Sequence, residues 1–351
     1  MENKKLTVCF FGIYNPEYSR NRVLINGLKE NGVEVLECRT SKKNLIKYFD
    51  LIKKHWKIRN QYDVLFVAFP GFQSMILARF LTGKKIVYDS FTSIYDSEVN
   101  DRKNTKKGSL KAKYFWFLDW LSCKLANKIL LDTNENIKYY ISEFGIKKEK
   151  FERVFVGTDT SIFRPKEKIK YNNKFIVHFH GSNIPLQGVD CVLESAKLLE
   201  REKDIQFNIV GSNIKKEYEG NGFENINFME NVPYTELPNY INKADICLGI
   251  FGDTEKAQRV IPNKVFECVA CEKAVITLDT PAIRELFDEN DLCLIFSDSV
   301  EELVQAILDL KNNPEKIDYL AQNGYNRLIQ NVKIKKLGSQ LKETSLSLLQ
   351  K

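Results

Sequence analysis

Lys264 and Glu267 stand three residues apart in the run Arg259-Val260-Ile261-Pro262-Asn263-Lys264-Val265-Phe266-Glu267. Pro262 suits the first turn of a helix. Val265, Phe266, Val269 and Ala270 follow at helical spacing and predict an inward face. Lys264 and Glu267 then lie one turn apart on a shared face near the helix start. The free N–H groups of a helix N-terminus attract phosphate. A carboxylate one turn further on is suitably placed to accept hydrogen bonds from two ribose hydroxyls. The chemistry this would serve is the grip of a nucleotide. On spacing alone, a solvated Lys–Glu pair on a helix surface is the simpler reading.

These residues need elements to position them. A chain of 351 residues is too long for one ordinary core, which predicts two domains. Strand-like runs at 6–13, 33–38, 64–69, 85–89, 129–133 and 151–156 alternate with amphipathic stretches such as 21–30 and 135–144. Such alternation is the sign of βαβ units around a parallel sheet. It weakens over 157–173, read as a linker, and restarts with runs at 175–180, 205–210, 226–228, 246–249, 274–278 and 293–296. Three helical stretches, 300–310, 314–330 and 335–349, close the chain. The expectation is an α/β protein of two Rossmann-like domains with a cleft between them, 1–165 and 172–334, with a last helix, about 335–351, packed back on the first. In such sheets ligands bind beyond the carboxyl ends of the strands.

The segment from Arg259 to Glu285 resembles the donor-binding signature of retaining glycosyltransferases of the GT-B fold, in particular glycosyltransferase family 4 (group 1). That family reads E-x-x-A-x-G, then P-V-I, then a loop ending in glutamate. Here these stand as Glu267-Cys268-Val269-Ala270-Cys271-Glu272, Ala274-Val275-Ile276, and Asp279-Thr280-Pro281-Ala282-Ile283-Arg284-Glu285. The resemblance implies that Glu267 holds the ribose and that Thr280 and Glu285 lie close to the donor. His180-Gly181-Ser182 after a strand, and Gln187-Gly188 opening a helix, resemble the family's Gly-rich turn and Lys-Gly pair. Val210-Gly211-Ser212 resembles the strand end before the base pocket. Val232 to Pro238 resembles the stretch whose backbone, near Asn231, reads the base. Three positions depart: the family's first glutamate falls on Arg259, its phosphate-binding lysine on Gln187, and an arginine after Gly181 on Ser182. A leaving diphosphate needs positive charge or aligned N–H dipoles. Arg259 and Lys264 are the nearest substitutes in sequence.

In the first half, Asp89 ends the strand-like run Val87-Tyr88-Asp89. The resemblance implies contact with the reacting sugar or the acceptor hydroxyl there; a turn or helix cap is the alternative. Asp96, in the loop that follows, and Arg20 and Arg22, just past the first strand, are acceptor-side candidates. Arg20 and Arg22 also read as a solvated helix start. His178 and His180 point to one side of a strand with no ligand at metal spacing; packing, or a donor contact for His180, are the readings. Cys268 and Cys271 form a CxxC without a second pair, and the eight cysteines are expected to be free thiols in a reducing compartment.

Charge separates the halves. Residues 1–165 carry 30 Lys+Arg against 18 Asp+Glu, and residues 166–351 carry 23 against 28, so a net +7 divides into +12 and −5. Residues 42–59 hold seven cations against Asp50, interleaved with Leu45, Ile46, Phe49, Ile52 and Trp56. Residues 101–113 hold six cations against Asp101 and precede Tyr114, Phe115, Trp116, Phe117 and Trp120. Cations beside aromatics describe a segment that docks on anionic lipid, with a core face under a solvated lysine face as the alternative. Nucleic acid is not expected, because no binding motif accompanies the charge. No run approaches the roughly 20 apolar residues of a membrane span, and residues 14–18 do not resemble a cleavage site, so the chain is expected in the cytoplasm, peripheral to the inner membrane face.

The reading is a retaining glycosyltransferase. It would take a nucleoside diphosphate sugar, a UDP-sugar first, and serve a glycan or lipid-linked hydroxyl in surface polysaccharide (lipopolysaccharide) or glycoconjugate synthesis. Metal independence and retention are implied by the resemblance. The rivals are a nucleotide-sugar epimerase of the same fold and a non-catalytic sugar-nucleotide binding protein. A dinucleotide oxidoreductase is set aside, since neither half has G-x-G-x-x-G after its first strand.

Overall fold

In the computed structural model, residues 5–167 and 174–350 are described, and they form two units. The first takes the chain up to Gly157 together with Val332 onward; the second is Thr158–Asn331. Of the expected linker, residues 168–173 lie outside the described residues.

The first unit is built on β1 (Thr7–Gly12), β2 (Glu34–Arg39), β3 (Val64–Val67), β4 (Lys85–Asp89), β5 (Lys128–Leu131) and β6 (Phe151–Arg153). They form one parallel sheet in the order β2-β1-β3-β4-β5-β6. Parallel strands are covered on both faces and so read as continuous apolar runs. Val64, Leu65, Phe66 and Val67 are all fully buried. The crossovers carry α1 (Ser19–Glu30), α2 (Ile46–Ile58), α3 (Phe72–Leu81), α4 (Leu110–Leu125) and α5 (Asn134–Phe144). Local chemistry fixes their ends. Ser109 Oγ accepts the Ala112 N–H at 3.2 Å ahead of α4, Thr133 Oγ1 accepts the Asn136 N–H at 3.1 Å ahead of α5, and Gly145, with φ of 60°, stops α5.

The second unit holds β7 (Phe175–His180), β8 (Ile205–Val210), β9 (Ile226–Met229), β10 (Ile246–Leu248), β11 (Ala274–Leu278) and β12 (Cys293–Ile295). All pair in parallel, in the order β12-β11-β10-β7-β8-β9. The chain winds one way from β7 to β9 and then returns to the other side of β7. The reversal between β7 and β10 is the switch point at which Rossmann-type sheets take their ligands. Its helices are α6 (Val189–Leu198), α7 (Ser212–Tyr218), α8 (Leu237–Asn242), α9 (Asn263–Ala270), α10 (Val300–Lys311) and α11 (Pro314–Val332). All twelve strands fall on the runs read from sequence.

The last helix, α12 (Ile334–Leu349), packs on α1 in the first unit. Asn31 Nδ2 donates to the Lys335 carbonyl at 2.7 Å, and Gln340 Nε2 donates to the Arg153 carbonyl at 2.6 Å. The two helices touch at a glycine pair. A Cβ on Gly338 would lie 1.9 Å from the Gly27 carbonyl oxygen. Gly338→Ala should therefore force α12 off α1 and cost about 1–3 kcal/mol, the scale of overpacking. Urea unfolding of the variant against the wild type checks this; an unchanged midpoint would mean the helices can part freely.

Candidate nucleotide site and the first-unit faces

The second unit gathers its candidate residues at the β7/β10 switch point. β7 ends at His180, and Gly181 follows, its N–H donating to the Val210 carbonyl at 3.0 Å. The turn then runs to a short 3-10 piece, Pro185–Gln187, and to Gly188, whose φ of 63° and position cap α6. Gly188 is needed for room as well as for torsion. A Cβ there would lie 2.4 Å from the Phe251 carbonyl carbon, and one on Gly252 would lie 2.2 Å from the Pro185 carbonyl oxygen. The turn after β7 and the loop after β10 thus meet backbone to backbone.

Helix α9 brings the Lys–Glu pair to this place. Both residues are buried, so the solvated-pair alternative does not hold. The Lys264 ammonium lies 3.5 Å from the Phe179 ring centroid and hydrogen-bonds Gln187 Oε1. A Cβ on Gly181 would come within 3.1 Å of Lys264 Nζ and 2.6 Å of Gln187 Oε1. The cation absent from position 187 is therefore supplied to the same turn from another helix. Burial holds the Lys264 amine well below its ordinary value, with Cys268 and Glu267 opposing. An incoming anion would favour the charged form.

Glu267 lies one turn on. His180 Nε2 and Glu267 Oε2 are 2.9 Å apart, and His180 Nδ1 meets His178 Nε2 at 3.0 Å. Burial pushes the Glu267 carboxyl up to about 7, against the lowering effects of Lys264 and of a hydrogen bond from Tyr234. Tyr234 packs edge-on to the buried Phe163 at 4.9 Å. His180 and Tyr234 are the partners the sequence did not assign to Glu267. A histidine at the end of the strand preceding a Gly turn was the available signal for the first; nothing local marks the second.

The remaining donor-side residues line neighbouring strand ends and loops. A Cβ on Gly211 would lie 2.5 Å from the Gly181 carbonyl oxygen, so the ends of β7 and β8 close on one another. Ser212 N–H donates to Asn231 Oδ1 at 3.0 Å, and Asn231 N–H donates to Ser212 Oγ at 2.8 Å. This reciprocal pair fixes the loop after β9. Ser182 is exposed. Thr280 is buried and caps the turn Ile283–Glu285 through the Ile283 N–H at 3.2 Å. Arg259 ends the short turn Ala257–Arg259 and reaches Glu255 at 3.6 Å.

In the first unit, Arg20 and Asp89 are joined. Arg20 Nη2 lies 2.9 Å from Asp89 Oδ1 and Nε lies 3.2 Å from both oxygens. Arg20 Nη1 also donates to the carbonyls of Val154 at 2.6 Å and Phe155 at 3.0 Å. Both residues are 0% exposed. The structure gives the pair a supporting task, tying α1 to the end of β4 and to the chain after β6. This replaces the solvated helix start for Arg20 and the simple cap for Asp89. Asp96 is also buried; its carboxylate accepts from Asn100 Nδ2 at 3.1 Å. Arg22 is partly exposed and pairs with Glu17.

The two basic segments divide differently than expected. On α2, Phe49 is 71% and Trp56 66% exposed, with Arg59 stacked 3.4 Å over the Trp56 ring. On α3 and α4, Phe80, Leu110, Tyr114 and Phe117 are exposed. Trp116 and Trp120, expected at the interface, instead stack on each other at 6.2 Å and pack on the core, and Trp116 Nε1 donates to Glu143 at 2.9 Å. Helical phase is the reason: Tyr114 and Phe117 face away from the strands while Trp116 and Trp120 face α5. Between α2, α3 and α4 opens a hollow of about 330 Å³, lined by Tyr48, Ile76, Leu77, Phe80 and Tyr114 among others. Among the described residues, no helix is long and apolar enough to cross a membrane. The eight cysteines are free, Cys268 and Cys271 included.

Two parallel six-stranded α/β units with these connections define a GT-B fold. Sucrose-phosphate synthase from Thermosynechococcus elongatus has the same fold, with a TM-score of 0.74 at 12% identity over 98% of this chain and 99% of that one. The Anabaena protein HepE, solved in complex with UDP and glucose, gives 0.73 at 13% identity over 97% and 99%. Residues 192–341 match the family described as glycosyl transferase-like. A curated relative, the MMP alpha-(1->4)-mannosyltransferase of Mycolicibacterium hassiacum, is 23% identical over 208 residues, 54% of this chain and 46% of that protein. The chain thus spans about half the length of the relative it matches.

Proposed function

We propose that this chain is a glycosyltransferase that moves a sugar from a nucleoside diphosphate sugar, a UDP-sugar first, to a hydroxyl of a glycan or lipid-linked acceptor. The anomeric configuration is retained. The observation that carries the reading is Lys264 delivered to the Gly181–Gln187 turn beside Glu267, at the switch point of the second sheet. Support for UDP comes from the HepE complex, whose fold this chain shares. In this reading the second unit binds the donor and the first the acceptor.

The chemistry is positioning and charge. Glu267 takes the ribose hydroxyls. The backbone near Asn231 and Gly211 takes the base. Lys264, Arg259 and the N–H groups of the turn that runs through Ser182, Gln187 and Gly188 receive the charge that develops on the diphosphate as the sugar–oxygen bond breaks. Thr280 and Glu285 border the sugar. Asp96 and Arg22 lie on the acceptor side, with Asp89 held at its strand end by Arg20. No divalent ion is invoked, because protein cations and helix N-termini supply the charge.

The test is a thermal-shift screen of UDP, GDP, ADP and CDP, followed by UDP-sugars with an acceptor extract, with and without EDTA. Stabilisation by UDP and EDTA-resistant transfer are expected. Binding without turnover would make the chain a sugar-nucleotide binding protein. Donor conversion without acceptor would make it an epimerase.

In the same reading the amino-terminal half docks on anionic membrane to reach a lipid-linked acceptor, supported by the +12 balance of residues 1–165 and by Phe49 and Trp56 standing exposed among lysines. Each cation near such a surface contributes about 1 kcal/mol, screened over a Debye length of roughly 10 Å. Co-sedimentation with anionic liposomes at low salt should be reduced by replacing Lys53, Lys54, Lys57 and Arg59 with Ser. If wild-type protein ignores lipid charge, the acceptor is soluble.

A further inference from the structure

His178, His180 and Glu267 form a buried chain, and the donor reading leaves its two histidines without a role. The contacts are 3.0 Å from His178 Nε2 to His180 Nδ1 and 2.9 Å from His180 Nε2 to Glu267 Oε2. Among the described residues, His178 Nδ1 is buried with no hydrogen-bond partner. That one atom fixes the direction of the whole chain. A neutral imidazole carries one N–H and one bare nitrogen. Burial lowers both histidines, His180 to about 3, so both are neutral near pH 7. Two arrangements then remain. In one, His178 Nε2–H donates to His180 Nδ1, and His180 Nε2–H donates to Glu267. The atom left over is a bare acceptor. In the other, a protonated Glu267 donates to His180, and the atom left over is a buried N–H with no acceptor. Orphaned buried N–H groups are rarer than under-satisfied acceptors. The first arrangement prevails.

We infer that the His178–His180 pair is a positioning relay that aims an N–H at Glu267 and holds its carboxylate, as an ionised acceptor, in line for the two hydroxyls of a ribose. The inference rests on the donor-site reading above. A carboxylate has about four lone-pair positions. His180 takes one, and Tyr234 from the loop before α8 takes another. The rest are left for two hydroxyl donors; a protonated carboxyl, with one oxygen carrying its own proton, accepts fewer and weaker bonds. The other groups facing Glu267 are Lys264, Cys268 and Cys271, all on or beside α9. Lys264 favours the carboxylate, while the buried thiols stay neutral because burial raises them. Without the histidine donor, burial would decide the protonation of Glu267, and a proton would occupy the ribose position.

The sign of the pH effect follows. Burial lifts the Glu267 carboxyl to about 7. Below that pH a ribose must first displace a proton; above it, none is present. Uridine, which has no phosphate of its own to titrate in this range, should bind on the order of tenfold more weakly at pH 6 than at pH 8. The experiment has two parts. The chain holds three histidines, so ¹⁵N-imidazole NMR of the ligand-free wild type resolves each ring. Both His178 and His180 should be neutral Nε2–H tautomers at pH 8, where Glu267 is ionised. Uridine and UDP titrations then compare the wild type with His180→Phe and His180→Gln. Phe should weaken uridine by roughly tenfold or more at pH 7.5, the scale of a lost hydrogen bond to a charged group, and move the pH midpoint upward. Gln keeps a donor near the Nε2 position and should restore most of both. An Nδ1–H tautomer at His180 at pH 8, or a Phe variant with the wild-type affinity and pH profile, overturns the inference alone. A wild type that binds neither uridine nor UDP overturns the donor-site reading and this inference with it.

Discussion

Arg20→Met should destabilise the protein by about 3–5 kcal/mol, the cost of leaving one partner of a buried ion pair uncompensated. Asp89 would stay behind, 0% exposed, without the guanidinium that now meets both its oxygens. The carbonyls of Val154 and Phe155 would lose their donor as well. Each buried unsatisfied acceptor adds about 1–3 kcal/mol where water cannot reach it. Urea unfolding measures the loss. The companion variant, Arg20→Met with Asp89→Leu, separates the causes. It removes the stranded charge and should recover most of the loss, leaving only what the two carbonyls cost. A single variant within about 1 kcal/mol of wild type would mean that the pair does little for stability. The distinction matters because an acid at the end of β4 reads as a catalytic residue in sequence and as a structural tie in the fold.

Lys264→Met should cut transfer by about 10²–10³-fold, the range for removing one preorganised donor to developing negative charge. Met keeps the apolar stem and most of its packing, so the main losses are the ammonium over the Phe179 ring and its bond to Gln187. The signature is in the ligand series. UDP affinity should fall with turnover and by more than uridine affinity, because uridine has no diphosphate to meet the ammonium and loses only what Lys264 contributes to keeping Glu267 ionised. Glu267→Ala should do the reverse, weakening uridine and UDP alike by about 1–3 kcal/mol. Arg259→Ala tests the second cation in the same way. Equal losses of UDP and uridine in Lys264→Met would remove Lys264 from the diphosphate. Unchanged uridine affinity in Glu267→Ala would remove Glu267 from the ribose. Calorimetry with the two ligands reads both variants in one series.

The alternation of apolar runs with amphipathic stretches was enough to give twelve strands and the α/β class, because parallel strands are buried on both faces and cannot be written in mixed residues. The run 226–228 was legible although the strand it belongs to, Ile226–Met229, is partly exposed. The spacing of Lys264 and Glu267 on one helix face was also determined by the local sequence, as was the tight Gly188 turn. What sequence could not decide was which of these groups face one another. Lys264 and Gln187 are 77 residues apart, His180 and Glu267 are 87 apart, and Arg20 and Asp89 are 69 apart. Each pairing depends on strand order, which reverses at β7 and sets the turn after it beside the loop after β10. Burial had the same origin. A Lys and a Glu three residues apart read alike on a solvated helix and in a closed site; only the packing of α9 under the Gly181 turn removes the water and so raises the carboxyl and lowers the amine. Likewise, the aromatic run 114–120 spells amphipathic character, but the phase of α4 against α5 alone determines that Tyr114 and Phe117 meet solvent while Trp116 and Trp120 turn inward. Periodicity is written in neighbours along the chain, whereas electrostatics depends on neighbours in space.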